Sequence, residues 1–285
     1  MVKKILGYSY IYLILLLMYV PILVLIVFSF TNATYIGEWN GFSFDLYAKL
    51  FQSEEIMIAV GNTLIIALIS AICATFLGTL GAVGAFYSKK RSRIVLENIN
   101  QIPVVNAEIV MALSLVVMFV FIGNKIFGGA NLFSFWTLLI GHIILAAPFV
   151  YLNVKPKLQQ MDPSLYEAAL DLGCSPRQAL TKSVLPEILP GVFSGFMLSI
   201  TLSLDDFIVT AFTRGSGLLS GAGNIETIST LVQAKIKKGP IPPEMRPLTT
   251  IIFLIVLLVV ILISFKRNNN VSAKAVRRKK MRERA

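Results

Sequence analysis

Asp162-Pro163-Ser164-Leu165-Tyr166-Glu167-Ala168-Ala169-Leu170-Asp171-Leu172-Gly173 is a polar stretch set between apolar runs. It carries its own helix signals. Ser164 to Glu167 fits a capping box, and Asp162 with Pro163 at the first helical position is an equally sound start. Gly173 stands where a left-handed cap would end the helix. Ser175-Pro176-Arg177-Gln178 opens a second helix, again with a box and with proline in its first turn. Leu185-Pro186 is expected to close it. Two short capped helices joined at a glycine elbow make a compact knob, and the small Ala168 and Ala169 let a partner approach closely. An ordinary connecting loop would not need this much capping. The stretch reads as a surface for another protein.

Outward from it, the composition says membrane. The chain has 285 residues, 56% of them hydrophobic and 14% charged, with mean hydropathy +0.76. Soluble domains carry about 25% charged residues, so the difference marks a class. The net charge of +11 comes from residues clustered beside apolar runs and in the last twenty positions. That placement fits topogenic anchoring near anionic lipid rather than nucleic-acid binding. Cys73 lies in an apolar run and Cys174 in a polar loop, so no disulfide framework is indicated. His142 is mid-span and reads as a packed helix residue. The N-terminal apolar run from Tyr8 to Phe30 is about a full bilayer crossing and offers no cleavage site at Phe28-Ser29-Phe30. It is expected to stay as an anchor.

Six spans are expected, at 8–30, 56–87, 102–122, 132–154, 191–212 and 248–265, in a transmembrane domain covering 8–265. Residues 1–7 form a short N-terminus and 266–285 a basic tail. With the N-terminus inside, the inside segments hold 19 lysines and arginines and the outside segments 7. Both termini and the loop 155–190 are therefore expected in the cytoplasm. In the second span Ala74, Gly78 and Ala82, with Gly81 and Ala85, give the spacing that lets two helices approach closely in lipid. Between Arg214 and Arg246, a glycine-rich start precedes Ile225, Ile228, Leu231, Val232 and Ile236. That stripe predicts an amphipathic helix in the outer interface or in the protein's own outer mouth.

The chain has no Gly-x-x-x-x-Gly-Lys-Ser/Thr phosphate loop, no paired His and Cys at metal-ligand spacing, and no nucleophile placed beside a base. Neither an enzyme nor a bound cofactor or metal is expected. The charged residues inside the spans point to a pathway instead. Ser199, Ser203, Asp206, Thr210 and Thr213 are spaced 4, 3, 4 and 3, on one helix face. Asp206 is thus expected to line a pathway, and Asp205, whose only polar neighbour on its face is Thr201, to bond another helix. Counting along the helix puts Asp206 about 22 Å from the inner end, while Glu108 should sit in the inner half. Carboxylates at different depths suit an extended cation with separated ammonium groups. They would also suit a proton relay, which keeps a proton-coupled secondary transporter as a rival, although no repeated halves are evident.

Glu167-Ala168-Ala169, three residues, Gly173, and nine residues later Ser183-Val184-Leu185-Pro186 resembles the EAA loop of ABC-importer permeases. The apolar position two before Leu185 in that pattern is Ser183 here. The resemblance extends over nearly the whole chain to permeases of the spermidine/putrescine importer family, PotC type. Trp39-Asn40-Gly41-Phe42-Ser43 with Tyr47 is similar to that group's first external loop. The run Glu108 to Leu115 is similar to its third helix, with Glu108 where Asp is usual, and Leu202 to Val209 to its fifth. The resemblance implies an all-α, multi-pass bacterial membrane protein with a six-helix, MetI-like type I core and cytoplasmic coupling helices. It implies ATPase docking through Glu167, Ala168, Ala169, Asp171, Gly173, Leu185 and Pro186, and a substrate pathway past Asp206, Asp205, Glu108, Ser203 and Thr210. Implied partners are a PotB-type permease, a PotA-type ATPase pair on which ATP and Mg²⁺ act, and an external PotD-type polyamine-binding protein. A permease for another cation or small organic solute would share the scaffold.

Overall fold

The computed structural model describes residues 2–33, 35, 37–215, 225–239, 242–255 and 257–258, with side chains from residue 8 onward. Regular elements among these are helices: α1 (Val2–Phe28), α2 (Asp45–Gln52), α3 (Glu54–Tyr87), α4 (Lys90–Val105), α5 (Glu108–Lys125), α6 (Phe135–Gln160), α7 (Ser164–Asp171), α8 (Pro176–Ala179), α9 (Leu185–Asp205), α10 (Ile208–Thr213), α11 (Ile228–Lys238) and α12 (Met245–Ile255). Five are long and apolar enough to cross a membrane: Tyr8–Phe28, Glu54–Tyr87, Glu108–Lys125, Phe135–Gln160 and Pro176–Asp205. Of the span expected at 248–265, the part up to Ile255 lies in α12, a shorter apolar helix, and 256 and 259–265 lie outside the described residues, as does the basic tail.

Two compact units form, one from Glu55 to Lys237 and one from the described parts of Met1–Glu54 and Lys238–Ala285. In the smaller unit, α1 presents apolar side chains all round, as a helix facing lipid does. The loop after it folds on aromatic contacts. Phe30 stacks on Phe42 and Tyr47 and meets Phe44 edge-on. The Ser29 hydroxyl bonds the Tyr47 hydroxyl at 2.9 Å. An Arg246 Nη1 group donates to the Ala33 carbonyl at 2.9 Å.

The larger unit is organised around Val150 on α6, which is fully buried. It faces two glycines. A methyl at Gly78 on α3 would come within 2.7 Å of both Val150 Cβ and the Ala147 carbonyl, and one at Gly195 on α9 within 3.0 Å of Val150 Cα. The absence of side chains there is what lets three helices converge on one valine. Ala74, Ala82 and Ala85 continue that packing along α3, with Tyr151, Val154, Leu158, Val184 and Ile188 opposite. The small-residue face thus finds its partner in α6.

Several span boundaries depart from expectation, two of them with consequences for the residues of interest. The third span begins at Glu108, because Asn106 and Ala107 are extended and separate α4 from α5. The second knob helix does not end at Leu185-Pro186. It runs on into the membrane through a π-helical turn at Leu180–Val184. There the Leu185 N–H reaches back five residues to the Leu180 carbonyl. The wider turn takes up the proline that follows, whose ring would clash in a regular α ladder. It also turns Val184 into the core, so Val184 supplies the apolar contact that Ser183 does not.

Candidate functional site

Two places carry the residues of interest, the knob and the far end of α9. In the knob, the Asp162 carboxylate accepts from the Ser164 N–H at 3.0 Å and the Ser164 hydroxyl at 2.8 Å. Those two bonds hold its carboxyl below the usual range. Helix α7 ends in a Schellman cap: Gly173 N–H donates to Leu170 O and Cys174 N–H to Ala169 O, with Gly173 at φ +83°. Ser175 and Gln178 form the expected reciprocal box. Glu167, Ala168, Asp171, Gly173, Leu185 and Pro186 are exposed. Ala169 is buried and belongs to the knob's own packing, so of the two small residues Ala168 alone faces outward. Leu172, 86% exposed, stands at the tip as an apolar contact that the motif did not single out.

The knob is fastened to the bundle by aromatics. Tyr166 meets Tyr87, the last residue of α3, at 4.9 Å between ring centroids. Beside it, Glu97 accepts from Arg93 at 2.9 Å and pairs with Lys155 at 3.1 Å, tying α4 to α6. The Arg93 and Lys155 bonds hold the Glu97 carboxyl below its ordinary value.

At the far end of α9 the helix breaks. Asp206 has ψ 122°, and α10 starts again at Ile208. The Asp206 carboxylate turns back to cap α10, accepting from Val209 N–H at 3.2 Å, Thr210 N–H at 2.8 Å and the Thr210 hydroxyl at 2.8 Å. Its carbonyl accepts from the Ser229 hydroxyl of α11 at 2.6 Å. The amphipathic helix therefore docks on its own bundle. Asn62 donates to the Glu226 carbonyl, and the Ile228 N–H donates to the Thr63 hydroxyl. His142 on α6 lies against the break with Nδ1 2.7 Å from Ser203 Oγ and Nε2 2.9 Å from Thr210 Oγ1. Ser70 on α3 donates to Ser203 at 3.1 Å.

The two aspartates have environments opposite to those the helical spacing implies. Asp206, with Ser199, Ser203, Thr210 and Thr213, is buried, and that polar face is the inside of this subunit. Asp205 is exposed. Glu108 is exposed as well and opens α5, the helix whose Ala112 and Leu115 pack against α10 just past the break, so the expected difference in depth does not hold. The reason is the late start of the third span, which brings the first turn of α5 beside α10. There Val209 and Ile208 pack on Ala112 and Leu115. The outward face of α9 instead carries Glu187, Ser194, Thr201 and Asp205, all exposed, spaced 7, 7 and 4. This polar stripe is about 27 Å long at the helical rise. Polar groups on a membrane helix need water or a protein partner rather than lipid. Asp205 and Thr201 were visible as neighbours in the sequence; Ser194 and Glu187 follow from the same heptad spacing once the inward face is known. Among the described residues no three His, Cys, Asp or Glu side chains converge as metal ligands.

A bundle of membrane-spanning helices with a capped knob and a polar stripe, and no phosphate-binding loop, defines a membrane permease subunit. The chain belongs to the family of binding-protein-dependent transport system inner membrane components, whose model matches residues 74–278. It is 32% identical over 224 residues to the spermidine/putrescine transport system permease protein PotC of Escherichia coli K12, covering 79% of each chain. It is 31% identical over 231 residues to the putrescine transport system permease protein PotI of the same strain, covering 79% of this chain and 78% of the relative. A bacterial alginate ABC transporter, solved with an alginate pentasaccharide-bound periplasmic protein, superposes with TM-score 0.70 at 20% identity over 92% of this chain and 91% of that one. The inward-facing MetNI methionine transporter gives 0.55 at 19% over 75% and 96%. At these identities the two structures establish the fold: an all-α, multi-pass, MetI-like ABC permease.

Proposed function

We propose that this pore-forming subunit carries polyamines, spermidine or putrescine, inward across the cytoplasmic membrane of a bacterium. The observation that carries the reading is that Glu108, which opens α5, and Asp205, which closes α9, are both exposed carboxylates on spans brought together where α10 packs on α5. Carboxylates on an exposed face of membrane-spanning helices need water or an opposite charge, which a passing cation supplies. The Glu187–Asp205 stripe continues the path along α9. The PotC and PotI relatives bear polyamine names, which supports the same cargo. In this reading Asp205 and Glu108 contact substrate, while Asp206, Ser203 and Thr210 hold the geometry.

The subunit has six spans with both termini and the loop 155–190 in the cytoplasm, supported by the 19-to-7 bias of basic residues. It pairs with a second permease of PotB type. A PotD-type binding protein delivers substrate from outside, and a PotA-type ATPase pair binds ATP and Mg²⁺, since this chain lacks a phosphate loop. Glu167, Ala168, Asp171 and Leu172 on the exposed side of α7 meet that ATPase, and the Tyr166–Tyr87 contact passes its closure to α3. The test is uptake of labelled spermidine and putrescine by the reconstituted complex. Uptake should require ATP and fall at least tenfold in Asp205→Asn, with assembly intact. Uptake that ignores ATP and follows a proton gradient would sink the importer reading. Normal polyamine uptake by Asp205→Asn would remove that residue from the path.

A further inference from the structure

We infer that His142 is a positioning residue that clamps the two halves of the broken fifth span and so fixes where Asp205 points. The backbone between α9 and α10 is carried through the break by Asp206 and Phe207 alone. His142, 1% exposed and held on a different helix, touches both sides of it. Nδ1 meets Ser203 in the last turn of α9, and Nε2 meets Thr210 in the first turn of α10. A buried histidine is commonly just a satisfied core residue. Here its two partners lie on opposite sides of a helix interruption, and the bond directions form one chain. The Thr210 hydroxyl donates to the Asp206 carboxylate at 2.8 Å, so Thr210 Oγ1 accepts from Nε2–H. Nδ1 is then the acceptor and takes the Ser203 proton, and Ser203 Oγ in turn accepts from Ser70. The ring thus donates at one end and accepts at the other. A tie with directed bonds at both ends resists rotation of one half-helix against the other, as a purely apolar contact does not. Asp205 lies between the clamped residues Ser203 and Thr210, so its outward direction is set by them.

The inference rests on the transport reading only for the purpose of Asp205, and its principal test needs no substrate. In the full transporter, with Cys73 and Cys174 replaced by serine, spin labels at Phe193→Cys and Phe212→Cys flank the break from exposed positions. The distance distribution between them should be narrow with His142 present and broad in His142→Phe. It should narrow again in His142→Gln, whose amide offers one donor and one acceptor. Transport per ATP hydrolysed should drop in His142→Phe by about tenfold or more, since both of its buried hydrogen bonds are lost, and recover in part with the glutamine. Should His142→Phe fail to assemble, Ser203→Ala removes one tie alone and should give a smaller broadening. A distribution that stays narrow in whichever of these variants assembles overturns the clamp, whatever the cargo proves to be.

Discussion

Asp205 and Asp206 are adjacent, equally charged, and used in opposite ways, and the difference is made by one backbone angle. Had the helix continued, Asp206 would have kept to the face set by its spacing from Ser203 and Thr210, with its carboxylate free. Because ψ opens to 122° at Asp206, the carboxylate instead folds over the next helix's first N–H groups. The sequence shows both acids and the polar spacing around them. It does not show the break, since no proline or glycine announces it, and the spacing argument silently assumed a continuous helix. His142's partners, 61 and 68 positions away, are likewise beyond any local pattern. A distinct expectation follows for Asp206→Asn. An amide keeps one acceptor oxygen where the carboxylate uses two, which leaves a buried donor unmatched at a cost of about 1–3 kcal/mol. Thermal unfolding of the purified complex should shift downward for Asp206→Asn and stay in place for Asp205→Asn. Equal shifts would contradict their assigned environments.

Helices meet closely here where glycine permits it. A methyl at Gly78 would be driven onto the Ala147 carbonyl and Val150, whereas one at Gly84, two turns further along α3, would meet nothing within 4 Å. Gly78→Ala should therefore destabilise the complex by about 1–3 kcal/mol, the usual cost of overpacking, and Gly84→Ala should leave melting unchanged. If both are neutral, α3 and α6 do not pack as described. The small-residue face of α3 was legible because four-residue spacing is local; that it meets α6 was not. The caps of α7 and α8 were legible for the same reason, since Asp162, Gly173, Ser175 and Gln178 act within their own turns. Pro186 misled because proline forbids the α ladder but not a wider turn preceding it.

Across the whole molecule, the bundle end that bears the knob is tied by charge as well as by rings. Glu97 bridges Arg93 on its own helix and Lys155 on α6. Its carboxyl is held below the ordinary value in the fold, so the stabilisation is present above the unfolded carboxyl's pKa and fades as pH falls through the folded one. A Glu97→Gln, Lys155→Met double-mutant cycle on thermal stability should give a coupling of about 0.2–1 kcal/mol near neutrality. It should vanish in acid and weaken with salt; a coupling that grows on acidification would reverse the sign and refute the pair. The second knob helix and the membrane stripe belong to one continuous helix, joined through the π-helical turn at Leu180–Val184. That turn holds one residue more than ordinary pitch needs. Losing any one of its five residues would restore ordinary pitch and swing everything on the knob side by about 100° about the helix axis. The contacts of α9 within the bundle would be untouched, yet under the proposed docking the ATPase would be offered a different face, so the reading frame of one turn would set the alignment between engine and pore.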